Sequence, residues 1–434
     1  MGLSVAVVAD ENSTLPNIVF IMADDLGYGD LGCYGSKYIR TPNIDRLATQ
    51  GMRFTDCYSG SPVCAPARSV LMTGLHSGKT LFRANIPAAG GVIEPFGEGD
   101  MRLSMSNAET TIAEILRAAG YRTGGFGKWG LGEPGSDGTP TKKGFQEWLG
   151  YLNQNHAAYY YPEYLDRNDG VLKIPENAGG MRAVYSNDLL TKFGLEFMRK
   201  NRGNAFFLYM PYTVPHELME VPDLGEYSGK DWPNDARVYA AMVSRFDAYV
   251  GRLLNEIDKL GLAENTLVIV TSDNGPVAKK RSDILNSTGG LRGYKGTVYE
   301  GGIRVPMIVR LPSLVPTGRT SDAPWMFADF LPTCLELARM KLPVMTTGVS
   351  VVSLLRGQPT GERPIYWEYP TDKLSQAVRK GQWKAVRHGR GAVELYDLKT
   401  DRAERTDLAA RHPEIVHELV AVMEREHVPS PYWP

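Results

Sequence analysis

Short uninterrupted apolar runs alternate along the chain with longer stretches in which apolar residues recur every three or four positions. The first run is Asn17-Ile18-Val19-Phe20-Ile21-Met22-Ala23, ended by Asp24-Asp25. A continuous run of this length, partly β-branched, predicts a strand covered on both faces, as in a parallel sheet. Residues 205–210 and 266–271 repeat the pattern, and the second runs into Ser272-Asp273-Asn274. Residues 122–129, interrupted by glycines, and 303–309 predict two more strands. Helical periods lie between them: 43–50, stopped by Gly51; 111–119, opened by a Thr111-x-x-Glu114 capping box and stopped by Gly120; 186–200; 235–260; and 326–338. The longest aligns Tyr239, Met242, Phe246, Val250, Leu253, Ile257 and Leu260 on one stripe. Strands alternating with helices predict an α/β fold, a mostly parallel sheet with helices on both faces.

After about residue 345 the pattern changes. Residues 365–368, 376–387 and 393–398 read as short strands joined by turns, and 413–426 as a closing helix. The expected division is an α/β domain over 15–345 and a small α+β subdomain with an antiparallel sheet over 346–434. The glycine-rich stretch 88–100 is the expected flexible surface loop.

Composition narrows the function classes. Among 434 residues, 48 Lys and Arg balance 49 Asp and Glu, a formal net charge of -1. That balance argues against a nucleic-acid coat or a polybasic membrane binder. No apolar run reaches the ~18 residues needed to span a bilayer. The stretch from Leu3 to Ala9 lacks a basic flank, so it reads as a truncated leader at most. Four cysteines, Cys33, Cys57, Cys64 and Cys334, are too sparse for a disulfide framework, and no CxxC pair suggests zinc.

Asp24, Asp25, Asp273 and Asn274 offer hard oxygen ligands at the carboxyl ends of two strands, where α/β folds bind ligands. One such pair reads equally well as a helix cap or a turn; two pairs at two strand ends favour a divalent cation such as Ca²⁺. The loop Ser61-Pro62-Val63-Cys64-Ala65-Pro66-Ala67-Arg68-Ser69 leads into a helix. A helix N-terminus with a nearby Arg is expected to lower a thiol pKa and to bind an anion. A lone cysteine also serves as a small buried hydrophobe.

Cys64-x-Pro66-x-Arg68, followed by Ser69-Val70-Leu71-Met72-Thr73-Gly74, resembles the signature of the formylglycine-dependent sulfatases of the alkaline phosphatase superfamily. The likeness extends through Gly27-Tyr28-Gly29-Asp30, Thr41-Pro42-Asn43-Ile44-Asp45, Gly127-Lys128-Trp129, Pro215-His216 and Ser272-Asp273-Asn274-Gly275. It continues through Gly293-Tyr294-Lys295-Gly296, Glu300-Gly301-Gly302-Ile303-Arg304-Val305-Pro306, Trp383-Lys384 and Glu394-Leu395-Tyr396-Asp397-Leu398, in the family's order. The resemblance implies an alkaline-phosphatase-like fold and hydrolysis of a sulfate monoester. It implies that a formylglycine-generating enzyme oxidises Cys64, whose hydrated aldehyde attacks sulfur and later expels sulfate. It further implies that Ca²⁺, ahead of Mg²⁺, is held by Asp24, Asp25, Asp273, Asn274 and residue 64. Arg68, Lys128 and Lys295 would neutralise the sulfuryl group, and His216 would protonate the leaving oxygen.

One departure stands out. The family commonly has a histidine two residues after the lysine, contacting the formylglycine; here that position is Gly130. His156 is the nearest expected replacement, and with Arg379 it completes the expected substrate-binding set. The glycine and the tail Pro429-Ser430-Pro431 are similar to a subgroup of bacterial carbohydrate sulfatases. The expected substrate is therefore a sulfated carbohydrate of galactose type, or an aryl sulfate, and the expected location is periplasmic or secreted. Tyr159, Tyr160 and Tyr161 read either as a sugar platform or as core. The alternatives are a phosphonate or phosphate ester hydrolase of the same superfamily and a non-catalytic binder of sulfated glycans.

Overall fold

The computed structural model describes residues 15–93, 101–341, 344–370 and 373–433. The segment read as a truncated leader, and most of the glycine-rich stretch 88–100, lie outside them. Ten strands form the main sheet: β1 (Asn17–Ala23), β2 (Met52–Phe54), β3 (Arg122–Lys128), β4 (Glu147–Tyr151), β5 (Tyr164–Arg167), β6 (Gly170–Lys173), β7 (Phe206–Pro211), β8 (Thr266–Ser272), β9 (Met307–Arg310) and β10 (Arg319–Ser321). Their order is β10-β2-β9-β8-β1-β7-β3-β4-β5-β6. The five central strands, β8-β1-β7-β3-β4, are parallel. The flanking pairs β8/β9, β9/β2, β4/β5 and β5/β6 are antiparallel.

β1 shows why the sequence folds this way. All seven of its residues are buried. Ile18, Phe20 and Met22 join one core, with Val70 and Leu71 of the helix α1 (Cys64–Thr73) and Ile112 and Leu116 of α2 (Ile112–Ala118). Val19, Ile21 and Ala23 join the other, with Leu190 of α3 (Ser186–Asn201) and Phe246 and Val250 of α4 (Asn234–Lys259). Alternating side chains therefore each meet a helical layer, as a doubly covered strand requires. The Thr111 capping box forms as read: Thr111 Oγ1 accepts from Glu114 N–H at 3.2 Å, and Glu114 Oε2 accepts from Thr111 N–H at 2.8 Å.

Two readings change. Residues 303–309 are not one strand: Glu300–Ile303 is a helical turn, Pro306 follows, and only Met307–Arg310 pairs. Residues 376–387 are two strands, because Gly381 turns the chain at φ +57°. The resulting sheet of four antiparallel strands spans β11 (Ile365–Pro370), β12 (Leu374–Lys380), β13 (Trp383–His388) and β14 (Val393–Asp397), with α5 (Pro413–Glu426) against it.

Buried charges join this sheet to the helical turn at Glu300. Lys384 Nζ lies 2.8 Å from both Glu300 Oε1 and Glu404 Oε1, with all three side chains inaccessible. Glu300 also pairs with Arg304 at 2.5 Å and accepts from Tyr58 Oη at 2.9 Å. Removing one partner of such a pair leaves an uncompensated buried charge, at about 3–5 kcal/mol. Lys384→Met is therefore expected to lower the guanidinium midpoint strongly, and an unchanged midpoint would show that the pair holds nothing together.

Candidate active site

The register of β1 on β8 sets Ala23 opposite Ser272. The residues that follow each strand therefore emerge side by side. Asp273 N–H donates to the Ala23 carbonyl at 3.1 Å, and Asp25 N–H donates to Asp273 Oδ1 at 3.2 Å. Asp25 sits at φ +67°, a left-handed turn that aspartate tolerates better than most residues. Asp30 supports that turn. Its Oδ2 accepts from Gly27 N–H at 2.8 Å and from Tyr239 Oη at 2.5 Å, and the same hydroxyl lies 3.3 Å from the Asp25 carbonyl. Burial pushes the Asp30 carboxyl up to about 7. The Gly27–Asp30 motif marked this segment, but only the fold shows Tyr239 reaching it.

Cys64 opens α1, whose ten residues are all buried. Its Sγ lies 3.5 Å from Asp24 Oδ1. Arg68, one turn later on the same face, sends Nε and Nη2 to Asp273 Oδ2 at 3.2 and 2.7 Å and Nη1 to the Lys128 carbonyl at 2.6 Å. Lys128 ends β3 and places Nζ 2.6 Å from Asp24 Oδ2. Lys295 Nζ lies 2.7 Å from Asp25 Oδ1. Its loop is tied down where Lys295 N–H meets the Pro276 carbonyl and Gly296 N–H meets the Pro62 carbonyl, both at 2.9 Å. His216 Nε2 lies 3.7 Å from Asp25 Oδ2. Its Nδ1 contacts the Glu217 carbonyl, which can only accept, so Nδ1 carries the proton of the neutral ring.

Three carboxylates thus meet three cations in a nearly dry cluster. Burial opposes ionisation of Asp24, but Lys128, His216, Arg68 and Lys295 outweigh it and hold the carboxyl well below its usual range. Asp273 moves the other way, raised by burial and by the neighbouring Asp24 charge. Burial works against the Lys295 ammonium, yet Asp25 keeps it protonated. Burial and Lys128 lower His216, against the pull of Asp24. The expected low thiol pKa is overturned: burial and Asp24 push Cys64 up to about 12, more than Lys128 and Lys295 can offset. The helix terminus does not rescue a thiolate placed against a carboxylate in a closed pocket.

The donor set suits a hard cation. One ligand atom each from Asp24, Asp25, Cys64 and His216 lie within 4.8 Å of one another. Asn274 Nδ2 donates to Asp25 Oδ1 at 2.7 Å, while its buried Oδ1 has no hydrogen-bond partner among the described residues. Three carboxylates and an unmatched amide oxygen are the ligands that Ca²⁺ and Mg²⁺ take.

The other two expected residues lie elsewhere. His156 packs between Tyr151 and Tyr164, with ring centroids at 5.0 and 4.6 Å, and burial lowers it to about 4. Gln154, not His156, occupies the space beside Gly130. Arg379 pairs with Asp56 at 2.6 Å and donates to Tyr58 Oη at 2.5 Å, beneath the four-stranded sheet. It borders a cavity of about 380 Å³ that none of the carboxylate-cluster residues lines. Tyr160 is core, stacked on Tyr185, while Tyr159 is 48% exposed.

The model of the sulfatase family matches residues 16–340, and that of the N-sulphoglucosamine sulphohydrolase C-terminal region matches residues 293–428. Arylsulfatase A of Homo sapiens is 35% identical over 439 residues, covering 93% of this chain and 81% of that protein. The N-acetylgalactosamine-6-O-sulfatase of Bacteroides thetaiotaomicron is 29% identical, covering 95% and 93%. The crystal structure of Ps i-CgsB in complex with k-i-k-neocarrahexaose superposes with a TM-score of 0.84 at 28% identity, covering 97% and 95%. Among the described residues no helix is long and apolar enough to cross a membrane. A match that runs through the strand ends bearing Asp24, Asp25, Asp273 and Asn274, and through the helix that starts at Cys64, shows that this chain belongs to the sulfatase family and is a sulfuric ester hydrolase.

Proposed function

We propose that the chain releases sulfate from a sulfated carbohydrate of galactose type, with aryl sulfates as simpler substrates. The reading rests above all on the buried convergence of Cys64, Lys128, His216 and Lys295 on Asp24 and Asp25. The carbohydrate is supported by relatives: one is named an N-acetylgalactosamine-6-O-sulfatase, and another was solved with a neocarrahexaose. Formylglycine made from Cys64 by a maturation enzyme would supply the attacking oxygen. A Ca²⁺ held by Asp24, Asp25, Asp273 and Asn274 would supply positive charge beside it. A periplasmic or secreted location fits such a substrate.

The chain's own groups do the rest. Lys128 and Lys295 approach from either side and present ammonium groups to an anion placed at residue 64. Arg68 fixes Asp273 and the Lys128 carbonyl, which holds Lys128 in line. His216, anchored through Nδ1, faces the cluster through Nε2, and a second proton taken up there, giving the imidazolium, is the one it would deliver to the leaving alcohol. The lack of exposure around Cys64 keeps bulk water from the reacting oxygen.

Two tests follow. Sulfate and phosphate esters of the same nitrophenol are compared on matured protein. Faster release from the sulfate ester is expected, and preference for phosphate would favour the phosphohydrolase alternative. Removal of divalent cations with a chelator leaves Asp24, Asp25 and Asp273 offset only by Lys128, Lys295 and Arg68, and the buried Asn274 amide oxygen unmatched. Activity should vanish and the melting temperature fall, both recovering on addition of Ca²⁺. Unchanged melting and activity after chelation would remove the cation from the account.

A further inference from the structure

Gly130 lies two residues past Lys128 at φ +74°, where a side chain is strained. A Cβ there would also lie 2.0 Å from Gln154 Nε2. The amide of Gln154 thus fills the place of a side chain at position 130. The backbone brings it there. β3 and β4 run parallel with Lys128 opposite Tyr151, and the pairing continues as Gly130 N–H donates to the Leu152 carbonyl at 3.0 Å. Asn153 Oδ1 then accepts from the N–H groups of Asn155 and His156 at 2.7 and 3.0 Å. That turn holds Gln154 over the carboxyl ends of both strands.

Gln154 is 6% exposed, and neither Nε2 nor Oε1 has a hydrogen-bond partner among the described residues. An amide buried this deeply is ordinarily paired. Two residues of chain span at most about 7 Å, so the amide stands beside the backbone that carries Lys128. The Lys128 ammonium in turn reaches Asp24, the carboxylate against Cys64. Nε2 offers two N–H donors, and an ionised sulfate ester offers acceptor oxygens only.

We propose that Gln154 is a sulfate-binding residue whose Nε2 donates to an oxygen of the sulfate group beside Lys128. The proposal rests on the sulfatase reading above. It adds a neutral, directional donor beside the charged Lys128, and it is supplied by the turn after β4 rather than by the strand that carries Lys128.

The test uses inorganic sulfate, titrated calorimetrically into the full chain with unmodified Cys64 and Ca²⁺ present. A hydrogen bond to a charged group is worth about 10- to 100-fold in affinity. Gln154→Leu should weaken sulfate binding by that factor. Gln154→Glu, which keeps the shape but replaces the donor with a like charge, should weaken it further. On matured protein both variants should raise KM for a sulfate ester. Should Gln154→Leu fail to fold, the glutamate variant alone decides. Variants that bind sulfate as the wild type does, even with altered melting temperatures, overturn the proposal and leave the sulfatase reading intact. A wild type that neither binds sulfate nor releases it from any ester overturns that reading and the proposal with it.

Discussion

Matured protein carrying Cys64→Ala is expected to lose at least about 10⁴-fold in sulfate-ester turnover while keeping its fold. Covalent catalysis has no substitute when the attacking group is deleted, and the remaining cations can only bind the anion. The fold should tolerate the change. Cys64 is 1% exposed, so removing its sulfur leaves a small cavity worth about 1 kcal/mol, and alanine is a better helix former at that position. An unoxidised thiol has no geminal hydroxyl through which sulfate could be expelled, so wild-type protein made without the maturation enzyme should be nearly as inactive as the variant. Cys64→Ser should also be inactive. Mass analysis of the peptide containing residue 64 should show an aldehyde in the co-expressed wild type only. Full activity of Cys64→Ala would end the account of residue 64.

His216→Ala is expected to reduce turnover of a sulfated sugar by about 10²–10⁴-fold while costing a nitrophenyl sulfate far less. A sugar alkoxide is a strong base and needs a proton as its bond to sulfur breaks; a nitrophenolate does not. The proposed acid role rests on two contacts: Nδ1 meets the Glu217 carbonyl, and Nε2 faces the cluster at Asp25. Lys295→Ala is the control. Lys295 faces the same carboxylate, and its proposed role is on charge at the sulfuryl oxygens, so its loss should damage both substrates alike. Equal losses on both substrates for His216→Ala would take it out of the acid role.

The parts of the fold that could be read in advance are those whose environment is uniform. β1 and β8 are covered on both faces, so each reads as an unbroken apolar run. α4 packs one stripe against the sheet, so its period is visible from Tyr239 to Ile257. The strands β4, β5 and β6 left no such trace. β6 is largely exposed, and β4 is a strand because β3 pairs with it. Residues 303–309 misled because Ile303 and Val305 are apolar for packing reasons, while Pro306 and the turn at Glu300 set the backbone. At the site, the two strand ends and the loop before α1 nominated Asp24, Asp25, Asp273, Asn274, Cys64 and Arg68 from the residues themselves, whereas Lys128, His216 and Lys295 were nominated only by the family resemblance. Electrostatics was not legible: the sign of the Cys64 shift depends on a carboxylate forty positions away in sequence and 3.5 Å away in space. Nor was the choice between His156 and Gln154, which lie two residues apart; the turn at Asn153 sends one into an aromatic wall and the other over Gly130.

The central claim is that this pocket hydrolyses sulfate esters of carbohydrates through residue 64. The most direct measurement is sulfate released from a panel of sulfated mono- and oligosaccharides by matured wild type and by Cys64→Ala, side by side. Release from at least one galactose-type sugar by the wild type, and from none by the variant, is the expected result. No release by verified formylglycine-bearing protein from any sugar, or equal release by both proteins, would contradict it.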